Sequence, residues 1–338
     1  MRTSKINVFL SLVIFCFIYG CKNSEHQESE KPQQPSGKWK KGRVFNADSA
    51  YKYIAKQVDF GPRVPNTRNH QNCGNWLVKK LENFGFKTTE QIGEVVAFNS
   101  EKLPLRNIIG KINPNSKNRV LLCAHWDTRP FADRDSININ QPIMGANDGA
   151  SGVGVLLEIA RIVNLDSLKI GLDIIFFDVE DYGAPSYNSN FVDLNSMNDT
   201  WCLGSQYWCY NLDKDYVKPK FGILLDMVGG KNAVFPKEEI SRQYSGYHLN
   251  KIWKLASYLG YGEYFKKKIA PPLTDDHTYI NKLAQIPTLD IIHYDVSPFT
   301  NRFDFGRFHH THQDNLDIIH KPTLKAVGQT LLTYLYNI

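Results

Sequence analysis

Four short apolar runs in this sequence each end in side chains that can move protons or hold a cation. Val120-Leu-Leu-Cys-Ala runs into His125 and Asp127, Ile174-Ile-Phe-Phe into Asp178, Glu180 and Asp181, Gly222-Ile-Leu-Leu into Asp226, and Leu289-Asp-Ile-Ile into His293. One polar residue at a strand end is more often a hydrogen-bonded structural group than a ligand. Four such endings shift the weighing, because ligands of open α/β sheets bind outside the carboxyl ends of the strands, where residues distant in sequence meet on one rim. Imidazole nitrogen and carboxylate oxygen are donors for zinc, whose catalytic sites use three protein ligands and an open position. In Gly145-Ala-Asn-Asp148-Gly-Ala-Ser-Gly, small residues just before a helix leave room around the Asp148 carboxylate. His125-Trp-Asp127 sets a carboxylate two residues from an imidazole, suited to orienting the ring. Glu180 and Asp181 are adjacent, so their side chains can diverge, one to metal and one to substrate; Asp226 and His310 complete the set.

The elements that must position these groups follow from periodicity. Helical spacing of apolar residues runs through Ala50 to Val58, Gly74 to Phe84, Val153 to Val163, His248 to Leu259 and Leu324 to Tyr336. Short apolar runs bounded by turn residues predict strands over Arg106 to Ile112, Val120 to Ala124, Leu172 to Phe177, Phe221 to Leu225 and Thr288 to Ile292. Helices alternating with nearly continuous apolar strands imply an α/β fold, a central mixed, mostly parallel sheet covered by helices on both faces. No internal repeat or second linker divides the chain after residue 42, so residues 43–338 read as a single domain. The glycines from Gly149 to Gly154 are not followed by the lysine of a phosphate-binding loop.

Taken in order, His125-x-Asp127, Gly-Ala-Asn-Asp148, Glu180-Asp181, Leu-Leu-Asp226-Met-Val-Gly and His310-Thr311 resemble the zinc aminopeptidase superfamily, to which the glutaminyl cyclases belong. Thr274-Asp275-Asp276-His277, Ile291-Ile-His293, Ser297-Pro-Phe299 and His309-His310-Thr311 look like the C-terminal signature of the cyclase branch, in its bacterial, animal-type form. Asp181-Tyr-Gly, Trp201-Cys-Leu-Gly-Ser205 and Arg129-Pro-Phe-Ala-Asp133 point the same way. The resemblance covers nearly everything from residue 46 onward. It implies the zinc aminopeptidase-like fold, one zinc ion on Asp148, Asp181 and His310, Glu180 as general acid/base, Asp226 and Asp276 as a proton-sharing pair, and His125, Asp127 and His293 in support. The chemistry implied is cyclisation of N-terminal glutamine of peptides and proteins to pyroglutamate with release of ammonia. Two positions depart from the pattern: the second acidic ligand is commonly Glu where this chain has Asp181, and animal cyclases carry Trp where it has His309. Tyr187, Trp201, Phe299 and His309 are the candidates for the substrate wall, with Phe303 a further aromatic within reach; for the aromatics, plain packing is an equal reading.

Forty basic against 34 acidic residues give a net charge of +6, too slight and dispersed for nucleic-acid binding. The apolar stretch Ile6 to Tyr19 spans roughly 14 positions, short of the about 20 a spanning helix needs. With Arg2 and Lys5 ahead of it and Ile18-Tyr19-Gly20-Cys21 behind, it reads as a secretory signal over residues 1–20 ending in a motif that resembles a bacterial lipobox. Residues 21–42 then read as a lipidated cysteine and a tether, too polar to fold. The expected location is the periplasm, or the membrane through a lipid on Cys21 alone. Cys73, Cys123, Cys202 and Cys209 form no zinc-finger pattern, and spacing leaves a pairing of Cys202 with Cys209 open.

Two other readings stay open on the sequence. In a zinc aminopeptidase, His125 and Asp226 would hold a second zinc, Asp148 would bridge, and Glu180 would activate water. A non-catalytic peptide-binding lipoprotein would have no use for Glu180 beside its metal.

Overall fold

The computed structural model describes residues 39–40, 42–166, 168–185 and 199–338. The expected leader and most of the tether lie outside the described residues, as does Tyr187. The described residues form one compact unit. Its strands are β1 (Lys87–Val96), β2 (Lys102–Ile112), β3 (Arg119–His125), β4 (Gly171–Phe177), β5 (Phe221–Asp226), β6 (Phe235–Glu238), β7 (Phe265–Ala270) and β8 (Thr288–Ile292). Six form the central sheet in the order β1-β2-β4-β3-β5-β8, while β6 and β7 pair separately. Strands β4, β3, β5 and β8 run parallel, and β2 and β1 extend the sheet antiparallel beyond β4.

Alternation along β3 explains its unbroken apolar run. Val120, Leu122 and Ala124 enter the larger core with α1 (Ala47–Asp59), α2 (Arg68–Asn83), α3 (Ala150–Leu165), α5 (Glu239–Tyr258) and α7 (Lys321–Leu335). Leu121 and Cys123 enter a smaller core on the opposite face with Trp208 and Cys209 of α4 (Leu203–Tyr210) and the turn Ile280–Ala284 after α6 (Asp276–Tyr279). Both faces of the parallel strands are buried, as an α/β layer requires.

The predicted helices and strands all occur, most of them starting earlier than expected, and Thr288–Ile292 is β8 with the expected bounds. α2 starts at Arg68 because Thr67 Oγ1 accepts from His70 N at 3.3 Å, an N-cap ahead of the apolar spacing. α5 starts at Glu239 rather than His248: Glu238 caps it, and non-helical dihedrals at Ser245 (φ −128°, ψ 27°) break the apolar period between the two halves. β1, β6, β7, α4 and α6 were not expected. β1 is a polar edge strand alternating between exposed and half-buried positions, and α4 is too short to show a helical period.

Because β3, β4, β5 and β8 are parallel, their carboxyl ends share one edge, with His125 opposite Phe177 and Asp226 opposite Ile292. The ionisable groups that follow these ends gather on that edge.

Candidate metal centre and catalytic carboxylates

His310 Nε2 lies 3.2 Å from Asp181 Oδ1 and 4.0 Å from Asp148 Oδ2. Donors about 2 Å from a tetrahedral zinc stand roughly 3.3 Å apart, so the three side chains have nearly the spacing of its ligands. Asp181 Oδ2 is buried without a hydrogen-bond partner, and burial together with the Asp148 charge pushes the Asp181 carboxyl above its ordinary range. An unpaired buried carboxylate beside a second one is relieved by a cation, and these donors fit zinc.

Tautomers distinguish His310 from its neighbour. His309 Nε2 also lies 4.0 Å from Asp148 Oδ2, and the two rings stack at 3.7 Å. Arg134 Nη1 donates to His309 Nδ1 at 2.7 Å. Arginine is always a donor, so Nδ1 of His309 is an acceptor and its Nε2 carries the hydrogen, which disqualifies it as a ligand. His310 Nδ1 instead faces Asp133 Oδ1 at 3.1 Å, which fixes the hydrogen there and leaves the Nε2 lone pair for the metal. Asp133 is held by Nε and Nη2 of the fully buried Arg129, whose Nη1 donates to the carbonyl oxygens of Asp181 and Gly183. One guanidinium thereby ties the ring of one ligand to the backbone of another. Replacing Asp133 with Ala should weaken zinc binding about tenfold to a hundredfold. Competition against a chromophoric chelator checks this; unchanged affinity would show that Asp133 does not orient the ring.

The other ligand-bearing loops are pinned by carboxylates that accept backbone amides. Asp127 accepts from Glu180 N at 3.1 Å and Asp181 N at 3.2 Å, so its main work is shaping the acidic turn; His125 Nδ1 is 3.5 Å from it. Asp314, absent from the sequence reading, accepts from Asn147 N at 2.7 Å and Asp148 N at 3.0 Å. Gly149 must lack a side chain, since a Cβ there would fall 2.4 Å from His125 O and 2.6 Å from its ring. Val179, Met227, Cys202 and His310 all adopt left-handed dihedrals, an uncommon backbone state that the surrounding structure enforces beside the site. Asp178 is structural: it accepts from Arg106 N and pairs with His70, which stacks on Trp126.

Behind the metal donors, His125 Nε2 lies 3.1 Å from Asp148 Oδ1 and 3.2 Å from Asp226 Oδ1, and its Nδ1 is 3.9 Å from Glu180 Oε2. Against its burial, the hydrogen bonds to Asp148 and Asp226 and the nearby Asp127 carboxylate hold it well above the usual histidine range. Burial, then the Asp148 charge, pushes Asp226 up to about 7. Burial and crowding by Asp275 and Asp181 push Glu180 well above its ordinary value.

The carboxyl beside Glu180 is Asp275, which corrects the expectation for Asp276. Donor atoms of Glu180, Cys202 and Asp275 lie within 4.8 Å of one another, and Asp275 also raises Asp226. Asp275 is the extended N-cap of α6, whereas Asp276, its first helical residue, turns toward Ser205. Adjacent residues at a helix start diverge, and a resemblance in sequence does not show which of the two faces the site. Behind Asp275 stands Asp290 of β8, buried and raised by burial and by Asp275.

Trp201 stacks on His310 with centroids 5.6 Å apart and an angle of 9°. Phe299 is 71% exposed under the Arg307 guanidinium, away from the donors. Phe303 packs beside Tyr294, likewise outside the metal group. His293 Nδ1 accepts from Val234 N at 2.9 Å, and with Phe299 and Arg134, which donates to His309, it lines a cavity of about 220 Å³.

Residues 107–335 match the model of peptidase family M28. A glutaminyl cyclase of Bacteroides thetaiotaomicron, solved with N-acetylhistamine, is 51% identical with TM-score 0.83, covering 88% of this chain and 99% of that one. A glutaminyl cyclase of Porphyromonas gingivalis is 45% identical with TM-score 0.80, covering 86% and 98%. A structure described as a leucine aminopeptidase precursor, from B. thetaiotaomicron VPI-5482, is 50% identical with TM-score 0.81, covering 88% and 98%. The glutaminyl-peptide cyclotransferase of Bothrops jararaca is 27% identical over 260 residues, 68% of this chain and 64% of the relative, so the chain spans just under two thirds of that relative's length. With more than half of its length matched, and with buried His and Asp donors that fit zinc at the carboxyl edge of its sheet, the chain belongs to peptidase family M28.

Proposed function

We propose that this enzyme is a glutaminyl cyclase, converting the N-terminal glutamine of peptides and proteins to pyroglutamate with release of ammonia, with one zinc ion on Asp148, Asp181 and His310. The observation that carries this reading is Asp275, a third protonatable carboxyl set beside Glu180 and Asp226. Both reactions must protonate a departing nitrogen; a further buried carboxyl beside the base lets protons pass between protein groups, which suits a reaction that consumes no water.

In the reaction the α-amino nitrogen bonds to the side-chain amide carbon, and the bond from that carbon to the amide nitrogen breaks. Zinc would supply Lewis-acid polarisation of the amide carbonyl. Glu180 accepts a proton from the attacking amine and passes it to the departing nitrogen, which leaves as ammonia. Asp226, raised by burial and by the Asp148 and Asp275 charges, and Asp275, raised by burial, keep their protons and so keep the carboxylate cluster from accumulating charge. His125, as imidazolium, orients Asp148 and Asp226. Trp201 and the Nε2–H of His309 bound the space for the glutamine.

Mass spectrometry of four peptides tests the assignment. A Gln-peptide should lose one ammonia. An Asn-peptide would have to close a four-membered ring and an acetyl-Gln peptide lacks a nucleophile, so neither should react. Release of free leucine from a Leu-peptide, without ammonia from the Gln-peptide, would replace this reading with the aminopeptidase one. That second reading draws on the His125, Asp148 and Asp226 donors, which also lie within 4.8 Å of one another. Metal analysis separates the two independently. Asp181→Ala and His310→Ala should each empty the site, whereas His125→Ala should leave one zinc per chain; two zinc ions, one lost with His125, would favour the aminopeptidase arrangement.

Export belongs to the same proposal. A signal over residues 1–20, a lipid on Cys21 and a tether to residue 42 would place the domain of residues 43–338 at a bacterial periplasmic membrane, where mature N-termini are its substrates.

A further inference from the structure

Cys202 is wholly buried, unpaired with any other cysteine, and directed at the proposed base: its Sγ lies 3.1 Å from Glu180 Oε1. The approach is built by the backbone. Cys202 N donates to Glu180 O and Leu203 N to Val179 O, each at 3.0 Å, so the two segments are strapped together at the residues whose side chains meet. Cys202 precedes α4 in a left-handed conformation, which turns its side chain back to the acidic turn instead of into the helix. Burial and the neighbouring carboxylates keep the sulfur a neutral thiol, whose S–H donates to Glu180 Oε1. Asp275 lies in the same cluster, so the thiol is set among carboxyls.

We propose that the Cys202 thiol is a positioning residue for Glu180: its S–H holds Oε1, fixing one orientation of the carboxylate and leaving Oε2 to carry the proton in transit. The proposal rests on Glu180 being the base, as it is in either the cyclase or the aminopeptidase reading. An apolar side chain here would bury Oε1 unpartnered beside Asp275, and the carboxylate would turn away.

The test compares Cys202→Val, which keeps the volume without the donor, Cys202→Ala as a second variant should the branched side chain disturb folding, and Cys202→Ser, which restores a donor. Turnover is followed on whichever peptide the wild-type protein converts, so that a wrong substrate assignment does not hide the outcome. Val and Ala should lower kcat about tenfold to a hundredfold with KM changed less than about twofold and zinc content intact, and Ser should recover most of the loss. Infrared difference spectra of the zinc-loaded protein against Cys202→Ala identify the S–H stretch of this thiol. The band should lie below that of a non-bonded thiol and move up in Glu180→Gln, whose amide is a weaker acceptor. Wild-type kcat in Cys202→Val or Cys202→Ala, or an S–H band indifferent to Glu180→Gln, would overturn the proposal.

Discussion

Replacing Glu180 with Gln should leave the fold and the zinc in place and cost at least about a hundredfold in kcat. The substitution exchanges one carboxylate oxygen for an amide nitrogen with the same outline. The turn that carries it is held elsewhere, by Asp127 accepting from the amides of residues 180 and 181, by Arg129 on the Asp181 carbonyl, and by Cys202 N on the Glu180 carbonyl. None of these bonds involves the exchanged side chain. What disappears is the site that takes a proton from the amine and returns it to the leaving nitrogen. kcat at saturating substrate, measured beside metal content and thermal unfolding, separates loss of the base from loss of the centre. Near-wild-type turnover would remove Glu180 from the role.

How much of this was legible in the sequence depends on what kind of signal placed each residue. The strand ends were readable because parallel strands buried on both faces are nearly pure apolar runs, and the first charge after each run marks its carboxyl edge. His125, Asp148, Glu180, Asp181, Asp226 and His310 were all named that way or by motif, and the structure brings them together. His293 follows the same rule at the end of β8, yet its Nδ1 accepts from Val234 N, because a strand end fixes where a residue emerges and not which partner its ring meets. Asp275 and Asp276 could not be told apart for a similar reason: the extended N-cap dihedrals of Asp275 (φ −159°, ψ 174°) decide which carboxyl faces Glu180, and nothing in an Asp-Asp pair announces them. Asp314 left no chemical pattern, and Cys202 entered only inside Trp201-Cys-Leu-Gly-Ser205 and as an open partner for Cys209, with no link to Glu180. One accepts backbone amides from a loop more than 160 residues earlier, and the other meets Glu180 only because two backbone hydrogen bonds bring their segments together.

Stripping the metal should make stability fall as pH rises, and restoring zinc should abolish most of that slope. In the metal-free fold, burial and like charges raise Asp226 to about 7 and hold Asp181 and Glu180 above their ordinary values. The unfolded chain releases these protons near pH 4, whereas the folded chain keeps them until higher pH. Between those limits the folded state binds more protons than the unfolded one, so stability declines with each step upward in pH. The contribution is fully present below about pH 4 and is lost as pH rises through about 7; for Asp226 alone it is on the order of 4 kcal/mol at 1.36 kcal/mol per unit. His125, raised by its carboxylate partners, acts in the same direction. Asp148, which His125 holds far below the usual range, stays ionised throughout and adds no slope. Zinc reverses the balance because its ligands bind deprotonated, so its affinity increases over the same interval. Thermal unfolding of chelator-treated protein with and without added zinc, from pH 5 to 8, checks both halves: the metal-free Tm should drop across the range, and the gain on adding zinc should widen. A metal-free Tm that rose with pH, or a zinc gain greatest at pH 5, would mean that the buried carboxyls of this edge are not the protonated cluster described.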